Sequence, residues 1–243
     1  MSVRVFISAD IEGVAGVVTG LQTLDSGRQY QEGRELMTDE VSAAVAGAFD
    51  GGATDVFICD AHAGMQNIIP TRLDERAVLL RGAMRDSLQM EGMDGSFHAV
   101  FITGTHARAG TADAVLDHTW NGAMIYSLRV NGRAMNEAEL NALVAGRFGV
   151  PVVLVTGDEA TMAQTREFLT QVRTVAVKTA RGRGVAAAVH PHEVAHLVHG
   201  EQPVPHGGRG GRPAADERVG DPPAVLHLAD DLPAHRPDHE QAG

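Results

Sequence analysis

Acidic and imidazole side chains follow three short apolar segments of the chain, at the point where each segment ends. They are Asp10 and Glu12 after the first segment, His62 after the second and His106 after the third. Each residue alone also fits an ordinary role as a helix cap or a solvated loop side chain. Their recurrence at successive segment ends favours a shared site, because imidazole and carboxylate groups bind catalytic divalent ions and a carboxylate can bridge two of them. These residues therefore predict a metal centre that suits two ions.

The apolar segments themselves predict the strands that position these side chains. Each segment is rich in apolar and β-branched residues and stops abruptly at a polar loop, as buried strands do. The predicted strands cover residues 3–9, 54–60, 97–104 and 151–157. Helical patterns are found at residues 34–50, 137–148 and 159–171. Alternating strands and helices predict an α/β fold with a mostly parallel sheet flanked by helices, and open sheets of this kind place their sites at the carboxyl ends of the strands.

One segment breaks the parallel pattern. Residues 124–135 contain the pair Asn131-Gly132 between two strand-like runs, and this pair is a strong signal for a β-hairpin. We therefore expect the sheet to be mixed.

The composition of the chain changes near residue 200. Seven of the ten prolines lie beyond it, and no Phe, Trp or Tyr follows Phe168, so this part of the chain has little to bury. We expect a metal-binding catalytic domain at 1–180, the helical start of a smaller, incomplete second subdomain at 181–200, and a poorly ordered Pro/Gly-rich tail at 201–243. The abrupt change has two explanations, a reading-frame change near residue 200 or a divergent natural tail.

Charge and cysteine content narrow the class of protein. The chain has 31 acidic and 20 basic residues and a formal net charge of -11, which argues against nucleic acid as a partner. A single cysteine, Cys59, leaves no intrachain disulfide and no cysteine-rich zinc cluster. No apolar stretch approaches the roughly 20 residues of a membrane span. We expect a cytoplasmic protein without a membrane partner.

The predicted metal-binding residues lie in motifs that resemble the DppA-type D-aminopeptidases. The motifs are Ser8-x-Asp10-x-Glu12-Gly13, Asp60-x-His62, Gly104-x-His106-Ala107-Arg108-Ala109 and Asn136-Glu137-x-x-Leu140-Asn141. The similarity continues to about residue 198. The resemblance implies two zinc ions bridged by Asp10, with Glu12 and His62 on one ion and His106 and Glu137 on the other. From the sequence pattern alone, Glu137 is an acid in the first turn of a helix, where the helix dipole favours a carboxylate.

The resemblance also implies an activity. Members of the family hydrolyse short peptides with N-terminal D-residues, D-alanyl peptides among them, and assemble as ring-like homo-oligomers. His118 corresponds to the catalytic histidine of the family, and it would shuttle a proton to the leaving amine or attack the peptide directly. Asp60 would orient the imidazole of His62 or cap the end of its strand.

Three other interpretations remain open at this stage. His192-Glu193-Val194-Ala195-His196 fits the H-E-x-x-H pattern of a zincin protease, although eight of the twelve histidines lie at or beyond residue 190, which makes a chance match common there. A divergent C-terminus would also suit a non-catalytic peptide-binding or metal-binding protein. A two-metal site also serves phosphoester hydrolysis, although no Gly-rich phosphate loop lies near the predicted ligands.

Overall fold

The computed structural model describes residues 2–190 together with 193–194. A seven-stranded sheet organises them, in the order β3-β2-β1-β4-β7-β8-β9, and a two-stranded hairpin of β5 and β6 stands apart from it. The strands are β1 (Arg4–Ala9), β2 (Asp55–Asp60), β3 (Val78–Leu80), β4 (Ala99–Thr105), β5 (Arg129–Val130), β6 (Arg133–Ala134), β7 (Val152–Asp158), β8 (Arg173–Ala180) and β9 (Ala186–Ala188). Every neighbouring pair in the large sheet is parallel except β8 with β9.

Helices cover both faces of this sheet. They are α1 (Gly20–Thr23), α2 (Tyr30–Asp50), α3 (Glu137–Arg147) and α4 (Glu159–Phe168). Helix α2 buries Met37, Val41, Ala44, Val45 and Ala48, and this spacing of three to four residues forms one apolar stripe along a helix.

Alternate residues of β1 face the two apolar layers. Val5 and Ile7 pack in the layer that contains the stripe of α2. Phe6 packs in the other layer, with Ala138 of α3 and Met162 of α4. Side chains alternate across a strand, so a strand buried on both faces is apolar along its whole length, as residues 3–9 are.

The predicted fold class is confirmed, but the reason for the mixed sheet differs from the expected one. The hairpin at Asn131-Gly132 forms, with φ of 50° and 83° at these two residues, which is the left-handed pair that a tight hairpin turn requires. It belongs to the small sheet, however, and the antiparallel strand of the large sheet is β9. The helix predicted at 34–50 begins earlier, at Tyr30, and the helix predicted at 159–171 ends at Phe168.

The proposed division of the chain stays a prediction. Strand β9 lies beyond the expected boundary at residue 180 and pairs with β8 of the large sheet. The tail at 201–243 and most of 191–200 lie outside the described residues. Among the described helices, none has the length and apolar character that a membrane crossing requires.

Candidate metal centre

The strand order brings the predicted metal-binding side chains to one edge of the sheet. Strand β1 lies between β2 and β4, so the loop that carries Asp10 and Glu12 lies between the loops that carry His62 and His106. Glu137 is the first residue of α3, and all five side chains are buried. The central position of β1 makes Asp10 the natural link between the two histidines.

Asp10 divides its two carboxylate oxygens between these histidines. Its Oδ1 lies 3.2 Å from Nδ1 of His62, and its Oδ2 lies 3.6 Å from Nε2 of His106. A second carboxylate stands beside each imidazole: Glu12 Oε2 is 3.0 Å from His62 Nδ1, and Glu137 Oε1 is 3.1 Å from His106 Nε2. The result is two adjoining groups, each with one imidazole and one carboxylate of its own, and one shared aspartate.

The outer nitrogen of each imidazole donates to a backbone carbonyl. His62 Nε2 lies 2.8 Å from the carbonyl oxygen of Thr23, and His106 Nδ1 lies 3.0 Å from that of Ala107. Such a hydrogen bond fixes the tautomer and the ring orientation of a metal-binding histidine. His62 therefore presents Nδ1 to the carboxylates, whereas His106 presents Nε2.

The position of Glu137 follows from the local sequence. Asn136 caps α3 by accepting a hydrogen bond from the Glu139 backbone N–H at 2.9 Å, and the Glu139 side chain accepts from the Asn136 N–H at 2.8 Å. This reciprocal capping box fixes the first turn, so the carboxylate of the next residue, Glu137, points into the site. Its Oε1 accepts from the Trp120 N–H at 2.7 Å, and its Oε2 accepts from the side-chain amide of Gln89.

The close charges shift the pKa values of these groups strongly. Burial alone would lower the pKa of His106, but Glu137 and Asp10 outweigh it and raise that pKa to about 10. Burial also opposes the shift at His62, where Glu12 and Asp10 raise the pKa well above 6.5. The pKa of Asp10 is lowered despite burial, chiefly by the hydrogen bond with His62. Protons on the two imidazoles thus neutralise the carboxylates, and metal ions would replace those protons.

Two buried polar atoms of the cluster make ion pairs that lack hydrogen-bond geometry. Glu12 Oε2 lies 3.0 Å from His62 Nδ1, and His106 Nε2 lies 3.1 Å from Glu137 Oε1, yet neither atom forms a hydrogen bond with a described residue. A buried polar atom without a hydrogen bond is costly, and a divalent cation would coordinate both atoms. One ligand atom each from Asp10, Glu12 and His106 also lies within 4.8 Å of the others. The residues present therefore fit a metal ion.

His118 lies beside this cluster. Its ring stacks on His106 with centroids 3.8 Å apart and an angle of 14° between the planes, and its Nε2 lies 4.0 Å from Glu137 Oε1. Nδ1 donates to the carbonyl oxygen of Leu116 at 2.8 Å, which leaves the lone pair of the neutral ring on Nε2. His118 is therefore placed to accept a proton on the cluster side.

A cavity of about 480 Å³ opens onto the carboxylates and His118. Its wall is largely apolar, and the large apolar side chains that line it are Leu24, Met65, Leu88, Trp120 and Ile125. Three of them, Met65, Leu88 and Trp120, have left-handed backbone conformations, with φ of 55°, 48° and 51°. Strained backbone of this kind is concentrated at binding and catalytic sites.

Backbone contact sets the distance between the loops after β1 and β4. The Gly13 N–H donates to the Gly104 carbonyl at 2.7 Å, and the Asp10 N–H donates to the Thr103 carbonyl at 2.9 Å. Gly104 has φ of 64°, and a Cβ there would collide with the carbonyl oxygen of Asp10. Glycine is required at this position because the two backbones touch.

Asp60 caps its own loop and does not orient the imidazole of His62. Its carboxylate accepts from the backbone N–H groups of Asn67 and Ile68 at 2.6 and 2.8 Å and from the side-chain amide of Asn67 at 2.7 Å. The same amide also donates to the backbone carbonyl of His62 at 2.8 Å. Of the two predicted roles, the structure therefore supports the cap, which orders the loop that carries His62.

The sequence pattern gave no indication of Gln89. Its amide donates to Glu137 and accepts from the Asn141 side chain at 2.7 Å, so it restrains the Glu137 carboxylate from the side opposite Trp120. Gln89 lies in a short 3-10 turn at Leu88–Met90 and belongs to no motif, although both of its side-chain partners lie in the motif Asn136-Glu137-x-x-Leu140-Asn141. Of the H-E-x-x-H pattern, His192 and His196 lie outside the described residues.

Comparison with known proteins finds similarity over most of the chain. The model of a peptidase family, M55, described as D-aminopeptidase, matches residues 3–202. The D-aminopeptidase of Bacillus subtilis strain 168 is 34% identical over 199 residues, which is 80% of this chain and 70% of that protein. A solved structure, the Zn-dependent D-aminopeptidase DppA from Bacillus subtilis, described as a self-compartmentalizing protease, superposes with a TM-score of 0.78 at 32% identity, over 80% of this chain and 70% of that one.

Proposed function

The chain belongs to the M55 family of D-aminopeptidases and is a peptidase, and we propose that it releases N-terminal D-residues from short peptides, D-alanyl peptides among them, at a site for two zinc ions. The observation that carries the proposal is the Asp10 carboxylate, whose two oxygens face two different histidines. A bridging carboxylate between two sets of imidazole and carboxylate ligands is typical of binuclear hydrolases.

Each zinc ion would have its own ligand pair in addition to Asp10. Glu12 and His62 would hold one ion, and His106 and Glu137 the other. The solved relative is zinc-dependent, and the nitrogen and oxygen donors here suit zinc. When bound, a zinc pair polarises the peptide carbonyl and lowers the pKa of water.

The side chains around the cavity would bind the peptide and transfer protons. The cavity of about 480 Å³ is in the size range of small-molecule sites, which suits a short peptide. His118 Nε2 would act as the proton carrier to the leaving amine or as the nucleophile. With a peptide bound, the apolar wall would displace water from the reacting bond and strengthen electrostatic interactions there.

The assembly proposed for this chain is a ring-like homo-oligomer. The solved relative is described as self-compartmentalizing, and exposed apolar side chains border the cavity here, with Leu88 42% and Trp120 43% exposed. A cytoplasmic location stays a prediction from the sequence.

The test combines zinc analysis with turnover. We expect about two zinc ions per chain, falling to one or none in Asp10→Ala, and hydrolysis of a D-alanyl dipeptide in preference to its L counterpart. His118→Ala should keep the zinc and the affinity for peptide while losing turnover, whereas a protein that only binds peptide has no turnover to lose.

A double variant of the H-E-x-x-H pattern is the control. His192→Ala with His196→Ala should leave the zinc content unchanged. If Asp10→Ala kept its zinc and this double variant lost it, the metal would lie in the zincin-type motif and the proposal would be wrong.

A further inference from the structure

Lys178 is the sole lysine of the chain, and it is buried, with 2% of its surface exposed. Its ammonium group donates to three backbone carbonyl oxygens, those of Glu12 at 2.5 Å, Val14 at 2.9 Å and Val17 at 2.7 Å. An ammonium group has three donors, so each one is used on the same short segment. That segment, residues 12–17, begins at a proposed zinc ligand.

The lysine reaches this segment from a distant strand. Lys178 lies in β8, which is separated from β1 by β4 and β7. Neighbouring strands lie about 4.8 Å apart, so the loop after β1 itself extends across the carboxyl ends of β4 and β7 to meet the ammonium group. The contact thus joins this loop to a strand that is not a neighbour of β1.

The buried side chain of Glu40 also contacts the segment 12–17. Glu40 of α2 accepts from the Ala15 backbone N–H at 3.0 Å and from the Thr156 hydroxyl at 2.6 Å. The Thr156 oxygen in turn accepts from the Gly104 N–H at 2.8 Å. Residues 12–17 are thus fixed by carbonyl contacts to the Lys178 ammonium group and by an amide contact to the Glu40 carboxyl group.

Burial of the Lys178 and Glu40 side chains costs free energy. Their contacts with residues 12–17 indicate the purpose of this burial. Removing an ammonium group from water costs free energy unless polar groups replace the water, and an apolar side chain would fill the same volume without that cost. The tetrahedral donors of lysine suit three convergent carbonyl oxygens, whereas the planar fork of arginine does not. This chain uses arginine for its other basic residues, so the choice of lysine here is specific.

We propose that Lys178, assisted by Glu40, is a positioning residue for Glu12, and that it sets the affinity of the zinc ion held by Glu12 and His62 without setting that of the ion held by His106 and Glu137. The inference rests on the proposed two-zinc site. The backbone carbonyl of Glu12 is fixed directly by Lys178, whereas the described hydrogen bonds of His106 and Glu137 do not involve it.

The test is a zinc titration of Lys178→Met by competition with a chromophoric chelator. Loss of a group that orients a metal ligand typically weakens metal binding about 10- to 100-fold, so we expect one zinc to weaken by that factor and the other to keep its affinity. Glu40→Gln, which keeps the size of the side chain, is the second variant and should weaken the same zinc, even if Lys178→Met does not fold.

A double-variant cycle identifies which zinc is affected. Adding Lys178→Met to Glu12→Gln should weaken the remaining zinc no further, because both changes act on one ion. Adding it to Glu137→Gln should reduce the affinity of the zinc that this variant retains. Val150→Ala is the stability control, because Val150 is buried in the apolar layer that does not contain α2 and its truncation should leave both affinities unchanged.

Hydrogen exchange of the zinc-free protein gives a second measurement. The Ala15 and Val17 backbone N–H groups should exchange faster in Lys178→Met than in Val150→Ala. Unchanged zinc affinities in Lys178→Met, or equal weakening of both zincs there and in Val150→Ala, would overturn this inference and leave the proposed enzyme intact. A wild-type protein that binds fewer than two zinc ions would overturn both.

Discussion

Replacement of Gly13 by alanine tests whether backbone contact sets the spacing of the metal ligands. A Cβ at this position would lie 2.5 Å from the carbonyl carbon of Gly104 and closer still to the carbonyl oxygen of Thr105. Real Cβ contacts stay beyond 3.0 Å, so the Gly104 contact alone requires a separation of about 0.5 Å between the loops after β1 and β4. These loops carry Asp10 and His106.

The displacement is large for a metal site. Ligand distances have to stay within about 0.2 Å of their ideal values, so the Asp10 bridge would lose contact with one ion. Overpacking of this kind costs about 1–3 kcal/mol, and loss of the hydrogen bond from Gly13 to Gly104 adds about 1 kcal/mol. For a protein of this size, 1 kcal/mol lowers Tm by roughly 2–4 °C.

The assay measures zinc per chain and Tm on the same samples. We expect Gly13→Ala to bind about one zinc ion or none and to melt several degrees lower. Gly146→Ala in α3 is the matched control, because a Cβ there meets nothing within 4 Å and alanine favours a helix by about 0.5–1 kcal/mol. A Gly13→Ala protein that binds both zinc ions with unchanged affinity would refute the reasoning.

Two further predictions concern the loop after β2 and the titration of the cluster. Asp60→Ala leaves the buried N–H groups of Asn67 and Ile68 unpaired and should lower the free energy of unfolding by about 3 kcal/mol; urea titration of the zinc-free protein measures this, and unchanged stability would contradict it. Because Glu137 and Asp10 raise the pKa of His106 from 6.5 to about 10 against burial, His106 should stabilise the chelator-treated protein fully below pH 6.5, and this contribution should be lost as the pH rises towards 10. The pKa of Glu137 is lowered from 4.5 despite burial, chiefly by His106. Glu137 should therefore stabilise the folded protein above pH 4.5, and this stabilisation should be lost as the pH falls below that value. Urea midpoints of the zinc-free protein and of its His106→Gln variant at pH 7 and 10 test the alkaline part, and an equal change of midpoint in the two proteins would be inconsistent with it.

The sequence predicted the centre of the sheet well because its signals are local. Strands β1, β2, β4 and β7 are continuous apolar runs, which buried parallel strands require, and the polar residues after the first three converge in the structure. The hairpin was equally predictable from Asn131-Gly132. In each case the residues that predict the element lie within one short segment of the chain.

The edges of the sheet were not predictable in the same way. Strand β9 consists of three alanines, a residue that favours helices, and it is a strand because it pairs with β8. Strand β8 does not alternate regularly between buried and exposed residues, because the consecutive residues Val177 and Lys178 are both buried. The partners of Lys178 lie more than 160 residues earlier in the chain. Such contacts depend on the completed fold. The sequence marked Lys178 only as the single lysine and as the end of the segment Val175-Ala176-Val177-Lys178, which resembles the family.

Glu137 and the residues that contact the predicted metal ligands were the hardest part of the site to predict from the sequence pattern. Glu137 came from the resemblance to a family, and only the capping box of α3 supports it locally. Gln89 and the carbonyl of Thr23 act through geometry that no spacing rule describes. Their roles follow from where the loops cross, and loops are the part of a fold with the weakest sequence pattern.

The two histidines of the cluster are chemically distinguishable because they present different ring nitrogens. His62 keeps its proton on Nε2 towards Thr23, and His106 keeps its proton on Nδ1 towards Ala107. If both imidazoles bind zinc as proposed, the two rings would be opposite tautomers, which give different patterns of two-bond coupling in nitrogen-15 NMR spectra. The order in which the two patterns appear during a zinc titration would show which half of the centre fills first, without any substitution in the protein.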